Sequence, residues 1–231
     1  MLVVFACIGV AVAGVGVVLG SEGHPSWALV SGISKMIAST AFLLLAWWVG
    51  AFATAWGTAI FAGLVLSWFG DLFLIFRAKP LFLAGLVSFF GGHVAYIAAF
   101  ALYGLDTGVA VGTLIVLAAL ASHVILWLHP HLTEMRVPVY AYMVVISIMV
   151  AFSVGAWIYG RGAVPQEIPW QFPLGAGLFY VSDLFVARDR FVAPGPVNRY
   201  LGLPLYYAGQ VILALGADSL ATPLSPSIFG V

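Results

Sequence analysis

Long runs of apolar residues, separated by short breaks, make up most of this chain. Eight such runs lie at about 1–19, 27–49, 51–70, 82–103, 108–128, 137–159, 171–187 and 200–217. Each is close to the ~20 residues that an α-helix needs to cross a bilayer. The strands of a membrane barrel alternate apolar and polar positions, and these runs do not. The pattern predicts an all-α integral membrane protein with eight transmembrane helices in one polytopic domain, residues 1–231.

Composition excludes the main alternatives to a membrane protein. Charged residues make up 7% of the chain, whereas an average soluble domain has about 25%. A soluble fold of this size could not cover so much apolar surface. The 8 Lys and Arg balance the 8 Asp and Glu, so we expect no basic face for nucleic acid. The first run has no Lys or Arg before it, so we expect a span there rather than a cleaved signal peptide.

The basic residues predict how the helices are oriented. Six of them lie in the loops after runs one, three, five and seven, which share one side of the membrane, while Arg161 lies on the other side. Because Lys and Arg concentrate in cytoplasmic loops, we expect those loops inside and both termini outside, in a bacterial inner membrane. This orientation depends on a true turn near Gly50, where the break carries no charge. The six residues are Arg77, Lys79, Arg136, Arg188, Arg190 and Arg199.

Ionisable residues inside the predicted spans are the first candidates for function. A charged or titratable group at bilayer depth is energetically costly, so its presence points to a binding or catalytic role. We expect Lys35, Asp71, His93 and Asp183 in the cytoplasmic half of the membrane, with His93 the deepest, about eleven residues into its run. The pattern therefore predicts a pocket that faces the cytoplasm. Other polar residues expected in the same half are Tyr140, Tyr142, Ser182, Tyr206, Tyr207 and Gln210.

Two segments of the chain resemble each other. Residues 70–74 read Gly-Asp-Leu-Phe-Leu and residues 182–186 read Ser-Asp-Leu-Phe-Val. In the runs that follow, residues 89–94 and 206–211 both read aromatic-aromatic-small-Gly-polar-Val. Because the copies are four spans apart, they predict two parallel four-helix repeats, with both aspartates facing one central cavity. Chance similarity between apolar segments is the alternative.

Several stretches resemble the YhhN-like lysoplasmalogenase family of multi-pass membrane hydrolases. They are "SWFGDLFLIF", "LAGLVSFFGGHVAYIAAF", "GAGLFYVSDLFVARDRF" and "LPLYYAGQVILALG". In addition, "ISKMIAST" looks like the family's Lys segment and "YAYMVVISIMVAFS" like its Tyr-and-Met span. In order, they cover most of the chain from about residue 30 to 215. One departure is Met36 after Lys35, where the family commonly has proline, and this affects only local helix geometry.

The resemblance implies hydrolysis of the vinyl ether bond of lysoplasmalogens, which gives a fatty aldehyde and glycerophospho-ethanolamine or -choline. Such a reaction begins with protonation of an alkene carbon, and water then captures the oxocarbenium ion. It needs one protonated carboxylic acid and a second carboxylate, as glycosidases do. We expect Asp71 and Asp183 to be these catalytic groups. Which one is the acid stays open, with a slight preference for Asp71 because its aromatic neighbours look drier.

The other polar residues each have a functional and a structural interpretation. Lys35 could hold the substrate phosphate or form a salt bridge to an aspartate, and Asp71 could simply lock helices through Lys35 or Arg77. His93 could orient water or be a hydrogen-bonded core residue. We expect the substrate to be bound by side chains of the pocket. This predicted set is Lys35, His93, Tyr140, Ser182, Tyr207 and Gln210.

A metal site and two non-enzymatic functions are weaker alternatives. His123, His129 and His131 do not fall on one helix face, so we expect no metal and no cofactor. A proton-coupled or small-molecule transporter would also suit intramembrane charges and a repeat, and a non-catalytic helix bundle is a third possibility. The outer half of the spans carries almost no polar residues. This asymmetry favours a one-sided pocket, and hence an enzyme whose partners are a lysophospholipid and the bilayer.

Overall fold

The chain folds into a bundle of α-helices. The computed structural model describes residues 2–21, 25–76, 78–163 and 170–217, and these residues contain no strand. Each predicted apolar run corresponds to one helix, to within four residues at every end. The helices are α1 Leu2–Gly20, α2 Ala28–Trp48, α3 Ala55–Leu74, α4 Lys79–Tyr103, α5 Thr107–Leu128, α6 Arg136–Ala163, α7 Gln171–Ala187 and α8 Pro196–Leu215.

Six helices of the described chain, α1 to α6, are long and apolar enough to cross a membrane. The α7 helix has 17 residues, fewer than the ~20 that a perpendicular span needs, and it continues into a π-helical turn, Arg188–Val192. The α8 helix has 20 residues but carries polar side chains at Asn198, Arg199 and Gln210. The all-helical, membrane-type fold is thus confirmed with six candidate spans.

The break between α2 and α3 is a tight turn at Gly50. Its backbone is left-handed, with φ 93° and ψ 33°, a conformation that glycine adopts without steric cost. A short turn, Ala51–Ala53, follows, and the Thr54 side chain then accepts a hydrogen bond from the Gly57 amide at 3.0 Å. This N-cap explains why α3 begins at Ala55 rather than at 51. Because α3 also ends later, Asp71 lies inside the helix.

Contacts between neighbouring helices close a ring in the order α2, α3, α4, α6, α7, α8. Outside this ring, α1 packs on α2 and α8, and α5 packs on α6. Within the ring, the contacts of α2 with α3, α3 with α4 and α4 with α6 have counterparts in those of α6 with α7, α7 with α8 and α8 with α2. The core between the ring helices is largely aromatic and includes the fully buried side chains of Tyr96, Phe100, Phe172 and Phe179.

Glycines bring α3 close to α4 and α7 close to α8 at matching positions. A Cβ added to Gly92 would lie 3.2 Å from the Gly63 carbonyl oxygen, and one added to Gly209 would lie 2.9 Å from that of Gly175. Gly63 and Gly175 each lie eight residues, a little over two helical turns, before an aspartate, and Gly92 and Gly209 directly precede His93 and Gln210. Small residues at such contacts let membrane helices pack backbone to backbone.

The close approach predicts that alanine at Gly175 destabilises the fold. Its Cβ would lie 2.7 Å from the Leu213 side chain and 3.0 Å from the Gly209 carbonyl oxygen, so we expect a loss of about 1–3 kcal/mol. The control is Gly177→Ala in the same helix, where a Cβ meets nothing within 4 Å. It should be neutral or stabilising by up to ~1 kcal/mol. Equal thermal unfolding midpoints for the two variants in detergent would contradict the prediction.

Candidate active site

Asp71 lies at the junction of α2, α3 and α8, almost fully buried at 2% exposure. Its Oδ1 lies 3.1 Å from the Lys35 ammonium, which also donates to the Asp71 carbonyl oxygen at 3.2 Å. Its Oδ2 accepts hydrogen bonds from Ser39 at 2.6 Å and from Tyr206 at 2.7 Å. Both carboxylate oxygens are therefore occupied. Of the two sequence alternatives for Lys35, the structure contains the salt bridge.

Tyr207 reinforces this junction from α8. Its hydroxyl donates to the Lys35 carbonyl oxygen at 3.1 Å and lies 3.0 Å from the Ser39 Oγ. Lys35 and Ser39 are four residues apart, so they share one face of α2. Tyr207 thus contacts the residues that hold Asp71 rather than Asp71 itself. We call Lys35, Ser39, Asp71, Tyr206 and Tyr207 the Asp71 cluster.

Asp183 lies at the junction of α4, α6 and α7. Its Oδ2 accepts a hydrogen bond from the Tyr142 hydroxyl at 2.6 Å. The His93 Nε2 lies 2.8 Å from that hydroxyl and 3.8 Å from the carboxylate oxygen. On its other side, the His93 Nδ1 lies 3.2 Å from the Met149 Sδ. We call His93, Tyr142, Met149 and Asp183 the Asp183 cluster.

The two clusters have similar helix arrangements but different side-chain chemistry. Each aspartate is on the third helix of its half of the chain and is held by residues of two other helices. Asp71 is paired with an ammonium group and is buried. Asp183 has no Lys or Arg partner in the described part of the chain, its Oδ1 has no hydrogen-bond partner there, and its side chain is 19% exposed. Asp183 is therefore the more accessible carboxyl group.

Aromatic rings link the two clusters. The rings of Phe89, Phe179 and Tyr206 contact one another edge to face, with centroids 5.2 to 5.8 Å apart. The Phe179 ring also lies 4.7 Å from the His93 ring. Within the described residues the two aspartates share no hydrogen-bond or ion-pair partner. The shared central cavity expected from the sequence stays a prediction.

Gln210 occupies the position on α8 that matches His93 on α4. Its Oε1 accepts a hydrogen bond from Tyr96 at 2.8 Å, and Ser67 lies 3.5 Å from that hydroxyl. The Gln210 Nε2 is buried without a partner among the residues that the structure describes. An unpaired buried amide group costs about 1–3 kcal/mol, which a bound water or polar substrate atom would offset.

The sequence profile of the YhhN family matches residues 31–217. The chain belongs to the YhhN family. Lysoplasmalogenase TMEM86A from Bos taurus is 34% identical over 174 residues, which cover 72% of this chain and 68% of that protein. The TMEM86A of Homo sapiens is 32% identical over 172 residues, with the same coverage. Lysoplasmalogenase TMEM86B from Rattus norvegicus is 31% identical over 196 residues, 85% of this chain and 76% of that protein. No solved structure matches the chain significantly.

Two of the predicted binding residues of this YhhN-family chain make no hydrogen bond to either aspartate side chain among the described residues. Tyr140 is half-buried at the start of α6, and its hydroxyl lies 2.5 Å from the His129 Nδ1. Ser182 is buried in α7, on the side where Gly202 of α8 packs against its carbonyl oxygen. Positions two apart on a helix point in different directions, so Tyr142 reaches Asp183 where Tyr140 does not.

Four cluster residues, Ser39, Tyr142, Met149 and Tyr206, were absent from the predicted set, although both tyrosines were expected in the same half of the membrane. The signal for Ser39 was its spacing of four residues from Lys35, which puts both on one helix face. Tyr142 is seven residues from Met149, another spacing that places two side chains on the same face. Whether Tyr142 or Tyr140 faces Asp183 depends on the rotation of α6 about its axis. The sequence of one chain does not provide that rotation.

A groove of about 640 Å³ lies between α1, α2 and the end of α3. Its walls are apolar and include Val10, Leu29, Met36 and Phe76, and neither aspartate lines it.

Among the described residues, no three His, Cys, Asp or Glu side chains are close enough to hold a metal ion.

The ion pair predicts strong coupling between Lys35 and Asp71 in stability. Either Lys35→Met or Asp71→Asn leaves one buried group without its partner, and each should destabilise by about 3–5 kcal/mol. The double variant removes both charges, and the amide that replaces the Asp71 carboxylate can still hydrogen-bond to Ser39. The thermal unfolding midpoint of the double variant in detergent should therefore exceed the value expected from adding the two single effects. Strict additivity would show that the pair contributes no coupling.

Proposed function

We propose that this chain hydrolyses the vinyl ether bond of lysoplasmalogens, giving a fatty aldehyde and glycerophospho-ethanolamine or -choline. The YhhN match and relatives named lysoplasmalogenase, 31–34% identical over most of the chain, support a hydrolase of this type. The structural observation that carries the proposal is Asp183, a partly exposed carboxyl group held by Tyr142 and His93. A transporter or a non-catalytic bundle finds no support in these relatives.

Asp183 is the proton donor in this proposal. A general acid must reach the atom that it protonates, and the Asp183 Oδ1 is the carboxylate oxygen that no described residue occupies. The corresponding oxygens of Asp71 are taken by Lys35, Ser39 and Tyr206. This assignment reverses the slight preference for Asp71 drawn from the sequence. The Asp71 side chain is more deeply buried than that of Asp183, but its hydrogen bonds and ion pair occupy both carboxylate oxygens.

The reaction then proceeds in three steps. The Asp183 carboxyl group gives its proton to the alkene carbon, and the positive charge that remains is shared between the adjacent carbon and the ether oxygen. A water molecule adds to that carbon and returns one proton to the Asp183 side chain. The resulting hemiacetal loses the glycerol oxygen as an alcohol, with its hydroxyl proton moving to that oxygen, and leaves the aldehyde. Acid–base assistance of this kind typically contributes about 10²–10⁴-fold.

In this proposal the Asp71 cluster is a positioning element, so Asp71 is not the second catalytic carboxylate that the sequence predicted, and Asp183 both gives and takes up the proton. It ties α2, α3 and α8 together through one ion pair and the hydrogen bonds of Ser39, Tyr206 and Tyr207. The Tyr206 ring contacts Phe179, which in turn contacts His93. The packing around the Asp183 cluster therefore depends on Asp71 through a continuous set of contacts.

We also infer that α7 and α8 cross the membrane, which gives eight spans in two parallel four-helix repeats. The matching ring contacts and the matching glycine contacts support the repeat. Basic residues at the starts of α4 and α6 and after α7 support cytoplasmic placement of those ends, in the inner membrane, with the start of α1 and the end of α8 outside. These residues are Lys79, Arg136, Arg188 and Arg190, while Arg77 lies outside the described residues.

Carbon protonation predicts a specific isotope result. Purified protein in detergent, given a lysoplasmenyl lipid in D₂O, should release aldehyde with one deuterium on the carbon next to the carbonyl. The product is trapped at once by reduction, and aldehyde incubated alone corrects for exchange. The saturated 1-O-alkyl analogue should not be cleaved, because it has no alkene to protonate. Aldehyde without deuterium would exclude this mechanism, and absence of aldehyde would exclude the function.

Asp183→Asn should lower kcat by at least about 10²-fold, because an amide cannot donate the proton. The control is Asp106→Asn at the start of α5, where the Asp106 side chain accepts a hydrogen bond from the Val109 amide. Asparagine caps helices as well as aspartate, so this control should keep wild-type turnover. Aldehyde release is measured for both variants at equal amounts of folded protein. Wild-type turnover by Asp183→Asn would remove Asp183 from the reaction.

A further inference from the structure

A continuous hydrogen-bonded chain leads from Met149 through His93 and Tyr142 to Asp183. The contacts are 3.2 Å from Sδ to Nδ1, 2.8 Å from Nε2 to the hydroxyl, and 2.6 Å from the hydroxyl to Oδ2. His93 and Met149 are fully buried, and Tyr142 is nearly so. Tyr142 therefore connects the buried His93 Nε2 to the Asp183 carboxyl group.

The chemistry of the two ends restricts where the hydrogens lie. A thioether sulfur only accepts hydrogen bonds, so the His93 Nδ1 that faces Met149 carries a hydrogen. Two short contacts join Nε2, the Tyr142 oxygen and Oδ2, and each contact needs one hydrogen. Tyr142 supplies one of them. The second is bound either to Nε2, which makes His93 an imidazolium, or to Oδ2, which makes Asp183 a carboxylic acid.

We propose that His93, Tyr142 and Asp183 form a proton relay that shares this second hydrogen during turnover. When the proton on the Asp183 Oδ1 passes to the alkene carbon, the Nε2 proton moves to the Tyr142 oxygen, and the Tyr142 proton moves to Oδ2. Positive charge thus moves from His93 to the substrate, and Asp183 stays neutral. When water adds, its proton goes to Oδ1 and the shared proton returns to Nε2. No other reactant is needed.

The groups around His93 are suited to this role. Besides Tyr142 and Asp183, it contacts the Phe179 ring at 4.7 Å and the Met149 sulfur. Neither of these two neighbours can take up the shared proton. At the matching position of α8, Gln210 accepts a hydrogen bond from Tyr96 but has no titratable ring. The relay is therefore built only in the second of the two clusters.

The first test is nitrogen NMR of ¹⁵N-histidine-labelled protein in detergent, with the His93 signals assigned by their loss in His93→Gln. We expect Nδ1 to carry a hydrogen in every state, and Nε2 to carry one only in the charged state. A neutral His93 protonated on Nε2 alone would overturn the proposal. This readout needs no activity, so it tests the hydrogen positions that the relay requires even if the proposed function is wrong.

The second test is kinetic and rests on the proposed function. Tyr142→Phe should lower kcat about tenfold to a hundredfold with KM within about twofold, as expected for loss of one hydrogen bond to a charged group. His93→Gln can still donate to Tyr142 but cannot take up a proton, so the relay predicts a similar loss. Wild-type kcat in His93→Gln would overturn the relay and leave only a structural hydrogen bond.

A matched control separates the relay from general damage to α6. Tyr159→Phe removes another hydroxyl from the same helix, at a side chain that is 44% exposed and remote from the carboxylates. It should keep wild-type kcat and KM. If wild-type protein releases no aldehyde at all, the proposed function fails and the relay in turnover fails with it, while the NMR result still decides whether the cluster has the proposed hydrogen positions.

Discussion

The ion pair between Lys35 and Asp71 is the interaction on which the position of three helices depends. Charges inside a membrane-spanning bundle persist only when they are paired and their remaining polar atoms are hydrogen-bonded. Here Ser39 and Tyr206 complete the carboxylate, and Tyr207 ties the Lys35 carbonyl to α8. The aromatic rings that support His93 pack against Tyr206, so the second cluster depends on the first.

The two clusters have similar helix arrangements but different side-chain properties. The Asp71 cluster combines a cation, burial and full hydrogen bonding, which suits a fixed support. The Asp183 cluster has a titratable ring, a phenol and a partly exposed carboxyl group, which suits proton transfer. Asp183 differs from Asp71 in two ways: its side chain is partly exposed, and it has no cationic partner among the described residues. The chemistry of a general acid requires that access.

The helices could be predicted because apolar runs of span length report directly on transfer from water to lipid. The ionisable residues could be predicted too, since Lys35, Asp71, His93 and Asp183 all take part in the two clusters. The choice of Tyr142 over Tyr140 could not, because it depends on the rotation of α6 against α4 and α7. The sequence also left open whether Asp71 pairs with Lys35 or with Arg77. The α3 helix begins at Ala55, four residues later than predicted, because Thr54 caps it. Hydropathy does not detect such a local hydrogen bond.

The partners of each aspartate are spread over several helices of one chain, and this has a consequence for how such a protein can change. In a dimer of identical four-helix chains, the two clusters would be identical, and any substitution would appear in both. A single chain that holds both halves allows one cluster to keep a lysine while the other gains a histidine and a tyrosine. In the repeat proposed above, covalent linkage of the two halves is therefore what allows the two clusters to differ.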